Sequence, residues 1–180
     1  AAAQQALDVS LEAPGEVREL LERHVRLLKG EQVLPAAAAD RIAMSRRARR
    51  EVEQLLATEG YFSPSVRTDR SEAGRWLLKV EPGPRTTVGQ VSIVFEGEVA
   101  TAQGGPEAGG AAYLEALRSR WSLPQGAPFR QADWDAAKQA LLDAVAARRY
   151  AAARIVTSRA EIDPDTASAR LSVTLDSGPA

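Results

Sequence analysis

The chain has 180 residues, room for one large domain or two small ones. Its 24 acidic and 23 basic residues leave a net charge of -1, so no global field draws it to nucleic acid and any charged partner must meet a local patch. The absence of cysteine and a single histidine, His24, exclude disulfides, cysteine-ligated zinc, iron–sulfur centres, thiol nucleophiles and polyhistidine metal sites.

Ala1 to Gln5 lack the basic start and apolar stretch of a leader, and no apolar run approaches the roughly 20 residues of a membrane-spanning helix. Leu7, Val9 and Leu11 then alternate with Asp8, Ser10 and Glu12, the two-residue period of a half-buried strand. Pro14-Gly15-Glu16 opens a helix with Val17, Leu20, Leu21, His24, Leu27 and Leu28 on one stripe, closed by Lys29 and a C-terminal Gly30. After a loop with Pro35 and four alanines, Asp40 is the expected N-cap of a second helix. That helix carries Ile42, Ala48, Val52, Leu55 and Leu56 and stops near Gly60. Residues 66–69 make a short strand, Glu72-Ala73-Gly74 a turn, and Trp76, Leu78 and Val80 the inward face of a third strand.

The second half repeats this order. Val91, Ile93 and Phe95 mark a strand, and residues 96–110, with five glycines and a proline, read as a mobile loop. A helix with Tyr113, Leu114, Leu117 and Trp121 follows, then a turn over 122–128. Asp133 is the expected cap of a helix bearing Trp134, Lys138, Leu141, Leu142 and Val145. Strands are expected at 154–160 and 169–176, the last with Ala169, Leu171, Val173 and Leu175 inward. Tyr61 and Tyr150, and the closing Gly83-Pro84 and Gly178-Pro179, recur in matching places. The chain is therefore read as two domains, residues 1–85 and 86–180.

The order β-α-α-β-β dictates a topology. Two antiparallel helices return the chain to the end of the sheet it left, so the second strand opposes the first and the hairpin brings the third parallel to it. With the third strand central, each domain is an α+β unit with a mixed three-stranded sheet covered by two helices.

This order, the Lys-x-x-Leu-Leu helix of Lys138 to Leu142, the tyrosine after it and the closing Gly-Pro resemble the POTRA (polypeptide-transport-associated) domains of the Omp85 outer-membrane assembly family. The stretches Trp121-Ser122-Leu123-Pro124-Gln125-Gly126-Ala127-Pro128-Phe129 and Trp134-Asp135-Ala136-Ala137-Lys138 are most like the TamA branch, that of the translocation and assembly module. Where that family usually has Gly-Tyr, the first copy has Gly60-Tyr61 and the second Arg149-Tyr150. The resemblance implies no catalysis and no cofactor. It implies a periplasmic docking and chaperone-like module of a Gram-negative outer-membrane protein, with outer-membrane clients such as autotransporters and an inner-membrane-anchored TamB-like partner. It also implies membrane association through a C-terminal β-barrel outside these residues. The alternatives are a POTRA pair of BamA or of a two-partner secretion transporter and, more remotely, a soluble α+β enzyme or ligand-binding domain.

Two candidate sites stand out. Arg154, Ile155, Val156, Thr157, Ser158 and Arg159 form a second strand whose outer edge is free to pair with an extended client. The plainer reading is an edge guarded by charge. The second candidate is a basic patch at Arg46, Arg47, Arg49 and Arg50, in a run that includes Arg41, for anionic lipid or an acidic partner. Its plainer reading is a solvated helix face paired through Arg47 with Glu51 and Arg49 with Glu53. No aromatic residue interleaves with the arginines, which disfavours nucleic acid. His24 is expected at the edge of the core. The glycines at 104–110 lack the Lys-Ser/Thr ending of a phosphate loop and read as linker.

Overall fold

The computed structural model describes residues 8–29, 35, 37–70, 75–101 and 110–180. Leu7, Gly30, the Glu72-Ala73-Gly74 turn and the glycines at 104–109 lie outside these residues. The chain divides into two compact units, Ala1–Arg85 and Thr86–Ala180.

In the first unit, β1 (Val9–Glu12) leads into α1 (Gly15–His24), a 3-10 turn (Arg26–Lys29), α2 (Ala38–Thr58), β2 (Ser65–Arg70) and β3 (Trp76–Glu81). β3 is central, parallel to β1 and antiparallel to β2. The second unit runs β4 (Thr87–Glu96), α3 (Glu98–Thr101), α4 (Ala111–Ser119), α5 (Gln131–Ala146), β5 (Arg154–Asp163) and β6 (Ser168–Asp176). Here β6 is central, parallel to β4 and antiparallel to β5. Both sheets have the mixed three-stranded topology expected from a returning helix pair.

Each core is built from the inward face of its sheet and one stripe of its helices. In the first unit Leu78 and Val80 meet Val17, Leu21, Val52 and Leu56, all buried. In the second, Ala169, Leu171, Val173 and Leu175 alternate inward along β6 and are covered by buried Leu117, Trp134, Leu141 and Val145. Tyr61 and Tyr150 are buried at equivalent points, after the last helix of each unit, α2 and α5. Trp121 and Trp134 pack edge to face at 6.0 Å, and the Trp121 indole donates to the Leu123 carbonyl at 2.8 Å.

Several helix details differ from the sequence reading. α1 ends at His24, which is exposed; extended Val25 and the 3-10 turn rotate the chain so that Val25 enters the core in its place, beside Leu27, which is buried as expected. On α2 the buried residues are Met44, Ala48, Val52 and Leu56, while Ile42 is 54% exposed. Met44 sits one turn before Ala48, whereas Ile42 is rotated about 120° from that stripe. Asp40 and Asp133 do not cap. Ala37 and Arg130 hold those positions without a side-chain bond, and the two aspartates lie in the first turns, where a negative charge suits the helix dipole.

The loop expected over 96–110 begins with an element, the single turn α3. Gly97, at φ 86°, turns the chain after β4, and the fully buried Val99 anchors the turn. The Val99 N–H is bonded to the Ser177 hydroxyl oxygen at 3.0 Å. The last hairpin is also longer than expected. β5 runs to Asp163, and the tip includes Ala167 at φ 48°.

Candidate docking site

A three-stranded sheet has two edges, and an unpaired edge displays backbone donors and acceptors to any passing chain. In both units the first strand's edge is occupied by a helix arginine, from α1 in the first and α4 in the second. Arg18 donates to the Leu11 carbonyl at 2.8 Å, and Arg118 donates to the Ile93 carbonyl through Nε and Nη2, each at 3.2 Å. Arg118 also lies over the Phe95 ring, 5.2 Å from its centroid. The start of β4 is further covered by residues 126–129: Gly126 N–H bonds the Val88 carbonyl at 2.7 Å, and Val88 N–H the Ala127 carbonyl at 2.8 Å. These guards were not legible in the sequence, because neither arginine belongs to a charge run or motif.

The second strands are different. Among the described residues, no segment pairs with the outer edge of β2 or β5. On β5, Arg154, Thr157, Ser158 and Arg159 are exposed, Val156 is 38% exposed and Ile155 is half-buried. A bulge lies between Ile155 and Thr157, so Val156 has no register partner on β6. The two-residue alternation of a regular strand therefore breaks at Val156. Beyond it, Ser158 faces the helix layer, 3.4 Å from Lys138 Nζ, which itself sits 4.5 Å from the Trp134 ring centroid. The charges on this edge are locally engaged: Arg154 pairs with Asp176 at 4.0 Å and Arg159 with Glu161 at 3.0 Å.

The arginine run of α2 does not act as one surface. Arg46 and Arg49, with Arg41, line a groove of about 650 Å³ between α2 and β2. Arg47 lines a separate depression with Arg26, Met44 and Glu51, and Arg50 lines neither. Arg49 pairs with Glu53 at 3.0 Å as expected, but Glu51 accepts the Arg26 backbone N–H at 3.3 Å. Helical periodicity makes this division, since neighbours in sequence point about 100° apart. Among the described residues, no group of three or more His, Asp or Glu side chains is placed to hold a metal ion, and no helix is long and apolar enough to cross a membrane.

No protein-family model matches the chain, and no curated protein does. Solved structures do. The N-terminal domain of Omp85 from the thermophilic cyanobacterium Thermosynechococcus elongatus superimposes with a TM-score of 0.51 at 13% identity, over 95% of this chain and 61% of that one. The fold is that of tandem POTRA domains. Two further POTRA structures are similar at lower scores. POTRA1-2 of Omp85 from Anabaena has a TM-score of 0.49 at 11% identity, covering 98% of this chain and 97% of that one. BamA POTRA3-5 of Haemophilus influenzae has 0.46 at 17%, covering 98% and 67%. The chain spans about three fifths of the Thermosynechococcus fragment. In POTRA terms, the guarded edges are the first strands of each domain and the open edges are the second.

Proposed function

We propose that this chain is the periplasmic POTRA region of an Omp85-family protein of the TamA type, a non-catalytic docking module in outer-membrane protein biogenesis. Its clients are outer-membrane proteins such as autotransporters, and its fixed partner is a TamB-like protein anchored in the inner membrane. The observation that carries this reading is the asymmetry of the edges. An arginine occupies the first strand's edge in each unit, while the second strand's edge stays available. An extended segment pairing there gains affinity from main-chain bonds and tolerates varied side chains, which suits a module that handles many clients.

The favoured edge is Ile155 to Arg159 on β5, the longer of the two open strands. Proline tests it, because it removes a donor and resists the ladder. Val156→Pro falls at the bulge and is expected to leave circular dichroism and melting near those of the parent while weakening capture of an unfolded autotransporter barrel. Thr157→Pro, in register with Thr174, is expected to disturb the fold. If both variants fold and bind like the parent, β5 is not the docking edge.

A further inference from the structure

The groove between α2 and β2 is lined by five arginines: Arg41, Arg46 and Arg49 from the helix, Arg67 and Arg70 from the strand. Its one acidic residue, Asp69, is engaged by Lys79 at 3.5 Å. Among the described residues Arg41, Arg46, Arg67 and Arg70 form no ion pair; Arg49 alone is paired, with Glu53. Several guanidinium groups facing one concavity repel each other, and the nearby carboxylates, Asp69 on Lys79 and Glu53 on Arg49, are already engaged and too few to offset it. An incoming anion is therefore favoured there, and arginine is suited to take a carboxylate in a bidentate pair.

Two further features set the shape of that anion. One wall is the outer edge of β2, six residues or about 20 Å long, along which alternate residues turn unpaired backbone groups outward. The others include Ile42, the most exposed large apolar side chain among the described residues, and Trp76, half-buried with an indole N–H that finds no hydrogen-bond partner among them. Backbone groups and apolar side chains beside the charges match a polypeptide better than a lipid headgroup, which presents neither an extended main chain nor side chains.

We infer that the α2–β2 groove of the first unit binds an extended acidic segment of a partner protein, with carboxylates on Arg41, Arg46 and Arg70 and an apolar side chain against Ile42 and Trp76. The inference rests on the edge-docking reading above and adds a partner chemistry and a second, charge-selective site. The two open edges then differ in kind: β5 carries locally paired charges, whereas β2 faces unpaired cations.

The test uses the whole chain and synthetic probes. A short peptide alternating glutamate and valine is titrated while the Trp76 indole N–H is followed by nuclear magnetic resonance, its peak assigned with Trp76→Phe. The control is the same peptide with glutamine for glutamate. The acidic peptide is expected to move the Trp76 signal and to bind at least about tenfold tighter than the control. Its affinity should fall about fivefold or more between about 0.05 and about 0.5 M sodium chloride. Arg46→Glu with Arg70→Glu should abolish the shift, with Arg46→Gln and Arg70→Gln as the milder pair if the reversal unfolds the unit. Equal binding of both peptides, an unchanged shift in a folded variant, or response only to vesicles of phosphatidylglycerol would each overturn the inference. None of these results touches client capture at β5, so the docking reading stands or falls separately.

Discussion

Arg118 and Ile93 meet through two hydrogen bonds of 3.2 Å, with the guanidinium laid across a carbonyl on the outer edge of β4. The contact protects an edge as well as holding α4 to the sheet. Arg118→Met keeps much of the side-chain bulk and removes the bond. It should cost about 1.5–3 kcal/mol, the range for bonds to charged groups. It should also promote self-association, because the freed edge can pair with another copy. Urea unfolding and sedimentation velocity check the two effects; a monomer of parental stability would show that the arginine is incidental.

Ser177 ties the end of β6 to the start of α3. Its hydroxyl receives the Val99 N–H, and the residue is fully buried. Ser177→Ala strands that donor and should cost about 1–3 kcal/mol. Unfolding is best followed by tryptophan fluorescence in a Trp76→Phe background, where the remaining indoles, Trp121 and Trp134, both report on the second unit. A loss below about 0.5 kcal/mol would mean that water replaces the hydroxyl.

Gly97 and Gly126 share a left-handed backbone but not their surroundings. At φ 86°, a Cβ on Gly97 would stand 2.5 Å from Asp176 Oδ1 and 2.7 Å from Ser177 Oγ; at φ 88°, one on Gly126 meets nothing within 4 Å. Gly126→Ala should cost about 1–2 kcal/mol from backbone strain alone. Gly97→Ala should cost clearly more, by the same fluorescence assay. Equal losses would show that the Asp176 and Ser177 side chains move aside freely.

Burial separates neighbouring apolar residues on α2 and picks out one leucine on α5. Met44→Ala and Leu141→Ala, at 6% and 5% exposure, should each cost about 2–4 kcal/mol. Ile42→Ala, at 54%, should stay within about 0.5 kcal/mol. Thermal melting of the three variants would show the contrast, and a large loss at Ile42 would contradict the α2 face described above.

Tyr113 carries a buried hydroxyl with no hydrogen-bond partner among the described residues, and burial pushes its pKa above the ordinary tyrosine value, against the opposing pull of Arg148. Tyr113→Phe removes an unsatisfied group and should stabilise the second unit by about 1 kcal/mol at neutral pH. The sign of the pH effect follows from the raised value. Below about pH 10 both folded and unfolded chains keep the proton and the group adds no pH dependence. As the pH rises past that point the unfolded chain loses its proton first, so stability falls through the folded-state value. The advantage of Tyr113→Phe should therefore grow above about pH 10; a constant difference in chemical denaturation across that range would count against it.

The sequence by itself determined the two copies, their β-α-α-β-β order and the central third strand. Strand alternation such as Ala169-Leu171-Val173-Leu175 and the recurring tyrosines and Gly-Pro pairs are local signals, and two antiparallel helices leave a returning chain one compact arrangement. Tertiary structure decided what depends on distant partners. His24 and Ile42 carry apolar-stripe positions yet face solvent, because a break after α1 and the true rotation of α2 bring Val25 and Met44 inward. The arginine run was visible as charge, but only its packing beside β2 divides it into a groove and a separate face. The edge guards Arg18 and Arg118 look like ordinary helix-surface residues until the first strand lies beneath them. Periodicity records which face of an element is buried; it holds no information about which backbone edge a long side chain will reach, because that contact forms only once the layers meet.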